Sequence, residues 1–166
     1  FRNIQQKIGI HPYKLIIWED KTMAKMTAWG SWLSASAPNI QTPYEGILVS
    51  YKKQWAKINK GESTISKDEF MKGVSGTWNL QPETRGLTKA NFPVSLPKRC
   101  IELFTYKGDL VVDPFMGSGT TAIAAIQTGR NFLGGELSKN YCKVANKRIK
   151  DCYKEIENSN KFKHFF

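Results

Sequence analysis

The stretch that most constrains this chain is residues 110–121, LVVDPFMGSGTT. Leu110, Val111 and Val112 form an apolar run of β-favouring residues that ends on a carboxylate, Asp113. A turn carrying Gly117 and Gly119 follows, and residues 120–128 then offer Ala and Ile at helical spacing. Strand, tight turn and helix make up the half-unit from which nucleotide-binding α/β sheets are built. Lacking a Cβ, Gly117 and Gly119 tolerate positive φ and let a ligand lie against the backbone. Thr120 and Thr121 stand where the helix opens, with N–H groups pointing back into the turn. Gly129 is expected to close the helix and Arg130 to start the next strand.

Flanking residues separate the ligands such a unit can hold. A phosphate-binding P-loop needs Lys followed by Ser or Thr at the helix start, and this turn has no Lys. A dinucleotide fingerprint has a third Gly where Ala122 stands. Asp113 beside the turn would repel a pyrophosphate, and suits a cationic or amine-bearing ligand. A second carboxylate, Glu136, follows the next apolar segment at the spacing of the acid that grips adenosine hydroxyls in such folds. Two carboxylates without a phosphate-binding Lys fit S-adenosylmethionine better than NAD or ATP.

Residues 113–121 resemble the cofactor motif of the DNA amino-methyltransferases, which methylate adenine N6 or cytosine N4. The likeness extends upstream through Phe92, Pro93, Val94, Ser95, Leu96 and Pro97, and downstream through Gly129, Arg130, Asn131, Phe132, Glu136 and Tyr141. It covers residues 78–149 and, less specifically, residues 13–53. The resemblance implies an α/β fold, a Rossmann-like methyltransferase sheet with helices on both faces, and S-adenosylmethionine as cofactor. It implies that Asp113, Pro114, Phe115, Gly117, Ser118 and Gly119 hold the methionine and sulfonium end, with Phe92 nearby. Glu136 would take the ribose hydroxyls, and Thr120 and Thr121 the cofactor carboxylate or the helix-end amides. One position departs from the pattern: Lys89 stands where many relatives have a His before Phe-Pro.

The chemistry of this family rests on Asp, Asn or Ser followed by Pro-Pro and an aromatic residue. The polar side chain and a proline carbonyl accept hydrogen bonds from the exocyclic amine of an extruded base, on which the aromatic ring stacks. That tetrapeptide is absent; Asp113-Pro114-Phe115 and Leu80-Gln81-Pro82 both lack the second Pro. The catalytic residues are therefore unassigned. One order of the family's elements places the catalytic strand before the cofactor strand, and the chain follows it from Tyr13 onward. The catalytic strand is then expected upstream of Phe1, leaving the sheet incomplete, with a slot that a second chain or a missing N-terminal segment fills. A start on Phe rather than Met, directly into an amphipathic helix with Ile4 and Ile8 on one face, also reads as a fragment.

Elsewhere, residues 13–18 read as a buried strand of a parallel sheet, and residues 46–51 as another strand. Residues 23–40 have no clear period; Trp29 and Trp32 each read as packing, and together as a platform for a nucleobase. Lys52, Lys53, Trp55, Lys57 and Lys60 interleave charge with an aromatic ring, a pattern that suits DNA contacts and equally a solvated linker. The resemblance places a target-recognition region there. Ser66 is expected to cap a short helix, with Glu69 completing a capping box. Ser95 is expected to cap a helix with Leu96, Cys100, Leu103 and Phe104 on one face. Ser138 is expected to cap a long helix striped by Tyr141, Val144, Ala145, Ile149, Cys152 and Ile156, with Lys143, Lys147, Arg148 and Lys150 outward. The expected division is catalytic subdomain 1–53, recognition or linker region 54–88, cofactor subdomain 89–158 and tail 159–166.

A net charge of +11 points to a polyanionic partner, here duplex DNA with a flipped base. No apolar run approaches the length of a membrane span and no signal peptide is visible, so a prokaryotic cytoplasmic, DNA-associated protein is expected. Cys100, Cys142 and Cys152 lack metal-ligand spacing; Cys100 and Cys142 read as buried free thiols, and no metal is expected. His11 reads as a turn residue and His164 as a surface one. The expected function is site-specific methyl transfer from S-adenosylmethionine to an exocyclic amine of adenine or cytosine in a restriction-modification system. The alternatives are an RNA or other amine methyltransferase on the same scaffold, and a non-catalytic DNA-binding or cofactor-sensing module.

Overall fold

The computed structural model describes residue 5 and residues 7–19, 42–81 and 92–163, with the backbone alone for residues 160–163. Trp29, Trp32, Lys89 and His164 lie outside the described residues. The chain divides into two compact units, Phe1–Asn59 with Val74–Pro82, and Lys60–Gly73 with Glu83–Phe166.

In the first unit β1 (Ile10–Glu19) pairs antiparallel with β2 (Tyr44–Lys52) and parallel with the short β3 (Thr77–Asn79), in the order β2-β1-β3. The expected buried strand of a parallel sheet is thus corrected to a strand of a mixed sheet. β1 is longer, its main neighbour is antiparallel, and only Ile16 and Trp18 are buried. Alternation puts those two side chains on one face. There Trp18 stands in register with the equally buried Trp78, and its indole N–H donates to the Leu80 carbonyl at 3.5 Å. On the other face Leu15 and Leu48 are paired in register and largely exposed. The register shifts between Pro12 and Lys14, where a residue without an N–H interrupts the ladder. Gln5 and Lys7 are helical, as expected of the start of the chain, but Ile8 sits exposed in a turn rather than on a buried face.

The second unit contains α1 (Lys67–Gly73), α2 (Ser95–Phe104), β4 (Leu110–Asp113), α3 (Thr120–Gln127), β5 (Asn131–Gly134) and α4 (Lys139–Lys163). Strands β4 and β5 are parallel, in register from Leu110 opposite Asn131 to Asp113 opposite Gly134, and α3 is the crossover between them. One face of this pair carries Val111 and Phe132, which pack with Val94 against Ile101, Ala124 and Ala125. The small side chains of Ala122, Ala124 and Ala125, all fully buried, let α3 lie close to the strands. The opposite face carries Leu110, Val112 and Leu133, each exposed by more than half.

Several caps behave as their sequences suggest. Gly129 leaves α3 at φ +74, and Ser138 opens α4 with its Oγ accepting from the Tyr141 N–H at 3.4 Å. Ser66 Oγ accepts from the Glu69 N–H at 3.2 Å, but the reciprocal half of the capping box does not form. The Glu69 carboxylate instead accepts from Lys72 at 3.0 Å and from Arg99 on α2 at 2.9 Å. In α2 the cap position is Val94, not Ser95, and it makes no side-chain cap bond. Its inward ridge is Pro97 and Ile101, one residue round from the expected face, and Phe104 is exposed. Leu103 meets α1 instead, against Gly73. The buried thiol is Cys152; Cys100 and Cys142 are only half-buried, a correction to their expected burial.

A buried cation fastens the start of this unit to its sheet. Arg130, 4% exposed, precedes β5 and donates to the Thr105 and Thr128 carbonyls and to the hydroxyls of Thr105 and Thr64. Nearby, Lys107 donates through its backbone to the Glu62 carbonyl and pairs with the Glu62 carboxylate at 3.1 Å.

Candidate cofactor site

The site grows from the carboxyl ends of β4 and β5, the edge where open α/β sheets place their ligands. Asp113 is opposite Gly134, so both expected acids emerge on that edge. Asp113 Oδ1 accepts from the Phe115 N–H at 3.0 Å, closing a turn on its own backbone. Beyond the strands the backbone pairing continues: Gly135 N–H donates to Asp113 O at 2.9 Å, and Met116 N–H to Gly135 O at 2.8 Å. Glu136 completes the zip. Its Oε2 accepts from the Gly117 N–H at 2.9 Å and its Oε1 from the Ser138 N–H at 2.7 Å. The acid expected at the ribose therefore also fixes the turn and the start of α4. An ionised carboxylate offers about four lone-pair sites, so acceptor capacity remains for a ligand hydroxyl on each oxygen.

Two glycines make this closeness possible. Gly119, at φ +85, caps α3 without a side chain, and a Cβ there would stand 3.1 Å from the Ala145 Cβ and 3.3 Å from its Cα. Gly134 lies under Met116, so that a Cβ would fall 1.6 Å from the methionine methyl and 3.2 Å from its Cβ. Because Gly119 contributes no capping side chain, the first-turn amides of α3 lie beside the turn, at the positive end of the helix.

Among the expected cofactor residues, Asp113, Pro114, Phe115, Gly117, Ser118, Gly119, Thr120 and Thr121 form one continuous turn and helix start, with Glu136 bonded to it. Phe92 stands just before α2, 36% exposed. Phe115 and Leu137, each next to an acid-bearing strand end, are 87% and 101% exposed. Leu137 escaped the sequence reading; its signal was a large apolar residue directly after Glu136.

Arg148 escaped it too. Expected to face outward, it turns instead to the back of the turn. Its Nη1 donates to Ser118 O at 2.8 Å, to Ser118 Oγ at 2.9 Å and to Thr120 Oγ1 at 3.1 Å. The helical spacing held the signal, since Arg148 follows Ala145 by three positions and shares its side of α4.

The expected DNA-binding residues divide between the units: Lys52, Lys53, Trp55 and Lys57 belong to the first, and Lys60 to the second. In the first unit Trp55 stacks on Tyr13 with centroids 3.9 Å apart and meets Tyr51 edge-on at 6.0 Å. His11 in turn stacks on Tyr51 at 5.2 Å, and Lys14 Nζ lies 5.7 Å from the Tyr13 centroid. This ring cluster was not read from the sequence, because it depends on the register that sets His11 opposite Tyr51. Burial pushes the Cys100 thiol up to about 11, which removes it as a nucleophile near neutral pH. Among the described residues no group of three or more His, Cys, Asp or Glu is placed to hold a metal ion, and no helix is long and apolar enough to cross a membrane.

Comparison with known proteins gives this geometry its relatives. A model of the N6/N4 methyltransferase family, described as DNA methylase, matches residues 1–147. The type II methyltransferase M.BglI of Bacillus subtilis is 36% identical over 153 residues, covering 89% of this chain and 41% of its own length. M.MjaVI of Methanocaldococcus jannaschii is 42% identical over 78 residues, 47% of this chain and 40% of its own. A protein of Thermus thermophilus described as a DNA modification methylase, solved with S-adenosyl-L-methionine, superimposes with a TM-score of 0.74 at 29% identity. That likeness covers 91% of this chain and 58% of the other, so the chain spans well under two thirds of these relatives. With a family match over most of its length and a Rossmann-like α/β architecture, the chain belongs to the DNA methylase family of N6/N4 type.

Proposed function

We propose that the chain is the cofactor-binding part of an S-adenosylmethionine-dependent methyltransferase that modifies adenine N6 or cytosine N4 in duplex DNA, within a prokaryotic restriction-modification system. One observation carries the reading: a lysine-free glycine turn bracketed by Asp113 and Glu136 at adjacent strand ends. The donor set suits this cofactor. The Asp113 carboxylate suits its amine, the spare capacity of Glu136 its ribose, and the positive end of α3 with Thr120 and Thr121 its carboxylate. Phe115 and Leu137 offer exposed apolar surface for the adenine ring. When bound, the cofactor supplies an activated methyl group for direct transfer to a base nitrogen. The protein's part at this site is to bind and aim it.

The base-binding residues belong elsewhere in this reading. The strands fall into two sheets, β3 pairs with β1 only from Ile17 to Glu19, and the Leu110, Val112 and Leu133 face is exposed. The division into two sheets and the short β1–β3 pairing support a catalytic strand supplied by a preceding segment or a second chain. Lys52, Lys53, Trp55, Lys57 and Lys60 are proposed as duplex contacts, supported by the net charge of +11 and by the rings gathered round Trp55. Methyl transfer from labelled cofactor to duplex DNA by the full-length protein tests the reading, with nucleoside mass spectrometry to identify the base. Glu136→Ala is expected to weaken cofactor binding by about ten- to a hundredfold, from lost hydrogen bonds to a charged group. Cofactor binding without any methylated nucleoside would favour the cofactor-sensing module instead.

A further inference from the structure

We propose that Arg148 is a positioning residue for the cofactor. From the back of the turn it sets the path from Gly117 into α3 before any ligand arrives. The proposal rests on the reading that this turn holds S-adenosylmethionine. Three observations carry it. First, one guanidinium nitrogen takes both the carbonyl and the hydroxyl of Ser118 and, across the left-handed Gly119, the hydroxyl of Thr120. Ser118 is 6% exposed, so water is a poor substitute for that donor. Second, the segment that leads into the same helix grips the other end of the turn. Glu136 binds both the Gly117 N–H and the N–H of Ser138, the residue whose Oγ caps α4. Third, Ala145, one turn before Arg148, lies so near Gly119 that a Cβ there would stand 3.1 Å from the Ala145 Cβ.

Helix α4 thus shapes the turn from behind. The hydroxyls of Ser118 and Thr120 accept from Arg148 on that side, which orients them while each O–H stays available as a donor beside the α3 amides. A single nitrogen serving three acceptors is a geometry that an ammonium, with three N–H bonds, also satisfies. Lys is therefore expected to replace Arg here, whereas it fails wherever a guanidinium uses its whole fork.

The test compares the full-length protein with its Arg148→Lys and Arg148→Met variants, by calorimetric titration with S-adenosylmethionine and by steady-state methylation of duplex DNA. Arg148→Met is expected to raise Kd and KM for the cofactor by about ten- to a hundredfold, with kcat at saturating cofactor within about threefold of the parent. Arg148→Lys is expected to stay within about threefold in both. A merely structural role would lower kcat and thermal stability while leaving KM unchanged, and that outcome overturns the proposal. So does a Met variant that binds cofactor as tightly as the parent. If Arg148→Met does not fold, the double variant Ser118→Ala with Thr120→Val removes the two hydroxyl acceptors. Unchanged cofactor affinity there overturns the proposal as well. Absence of cofactor binding by the unaltered protein would remove the reading of the site, and this proposal with it; binding that Glu136→Ala weakens and Arg148→Met does not would remove this proposal alone.

Discussion

Replacing Gly119 by Ala puts a methyl group where the turn meets α4, and the structure sets the size of the effect. At φ +85 an L-residue is held in the left-handed region, at a cost of about 1–2 kcal/mol. The new Cβ would also stand 3.1 Å from the Ala145 Cβ and 3.3 Å from its Cα, inside normal carbon–carbon contact and against a buried helical residue with no flexible end. Over-packing of that kind costs about 1–3 kcal/mol, so Gly119→Ala should destabilise by about 2–5 kcal/mol in all. Ala145→Gly separates the two parts. Alone it should cost about 0.5–1 kcal/mol as a helix-interior glycine, and in the double variant it relieves the contact but not the backbone strain. A double-mutant cycle by urea denaturation should then show coupling of about 1–2 kcal/mol. Costs that add to within about 0.5 kcal/mol would refute the contact. A Gly119→Ala protein as stable as its parent would refute the strain argument too.

Other perturbations probe the fastening of the second unit. Arg130→Met should destabilise by about 2–4 kcal/mol, because it leaves the carbonyls of Thr105 and Thr128 without their donor, and hydrogen exchange at residues 60–66 should quicken. Glu69 is held below its ordinary value of 4.5 by hydrogen bonds from Lys72 and then Arg99. A lowered folded value means the stabilisation is complete above 4.5 and disappears as pH falls through the folded value. The stability gap between the parent and Glu69→Gln should therefore be steady near neutrality and close in acid, and it should be small, under about 1 kcal/mol, for a carboxylate 41% exposed. A gap that widens in acid would contradict the assignment. Cys100, raised from 9.0 to about 11, should be alkylated about a hundredfold more slowly in the native protein than in urea, read by peptide mass spectrometry.

What the sequence revealed is what neighbours along the chain decide. The apolar run into Asp113, the glycines of the turn, the end of α3 at Gly129 and the cap at Ser138 are local signals, and all four stand in the structure. What it concealed is decided across the chain. β3 is three residues long with no alternation to announce it, and it forms where Trp78 meets Trp18, far earlier in sequence. The antiparallel partner of β1 and the rings round Trp55 likewise follow from register rather than from composition. Within the site, Asp113 and the glycines were legible, whereas the hold of Glu136 on the Gly117 amide was not. A carboxylate at a strand end looks the same in sequence whether its oxygens face water, a ligand or a backbone N–H.

The two structural arginines show why charge alone misleads. In a chain of net charge +11, a cation reads as solvated surface, and most are. Arg130 and Arg148 depart from that because backbone carbonyls and hydroxyls await them, and the manner of each departure differs. Arg130 spends Nε, Nη1 and Nη2 on acceptors spread over Thr64, Thr105 and Thr128, a planar fork that no ammonium reproduces. Arg148 concentrates three acceptors on Nη1. The same substitution should therefore separate them: Lys in place of Arg130 should destabilise nearly as much as Met, whereas Lys in place of Arg148 should leave cofactor affinity almost intact. Equal tolerance at both positions would mean that the charge matters and the fork does not. Equal intolerance would mean that the reach of the longer side chain, rather than the number of N–H bonds at its end, holds the turn.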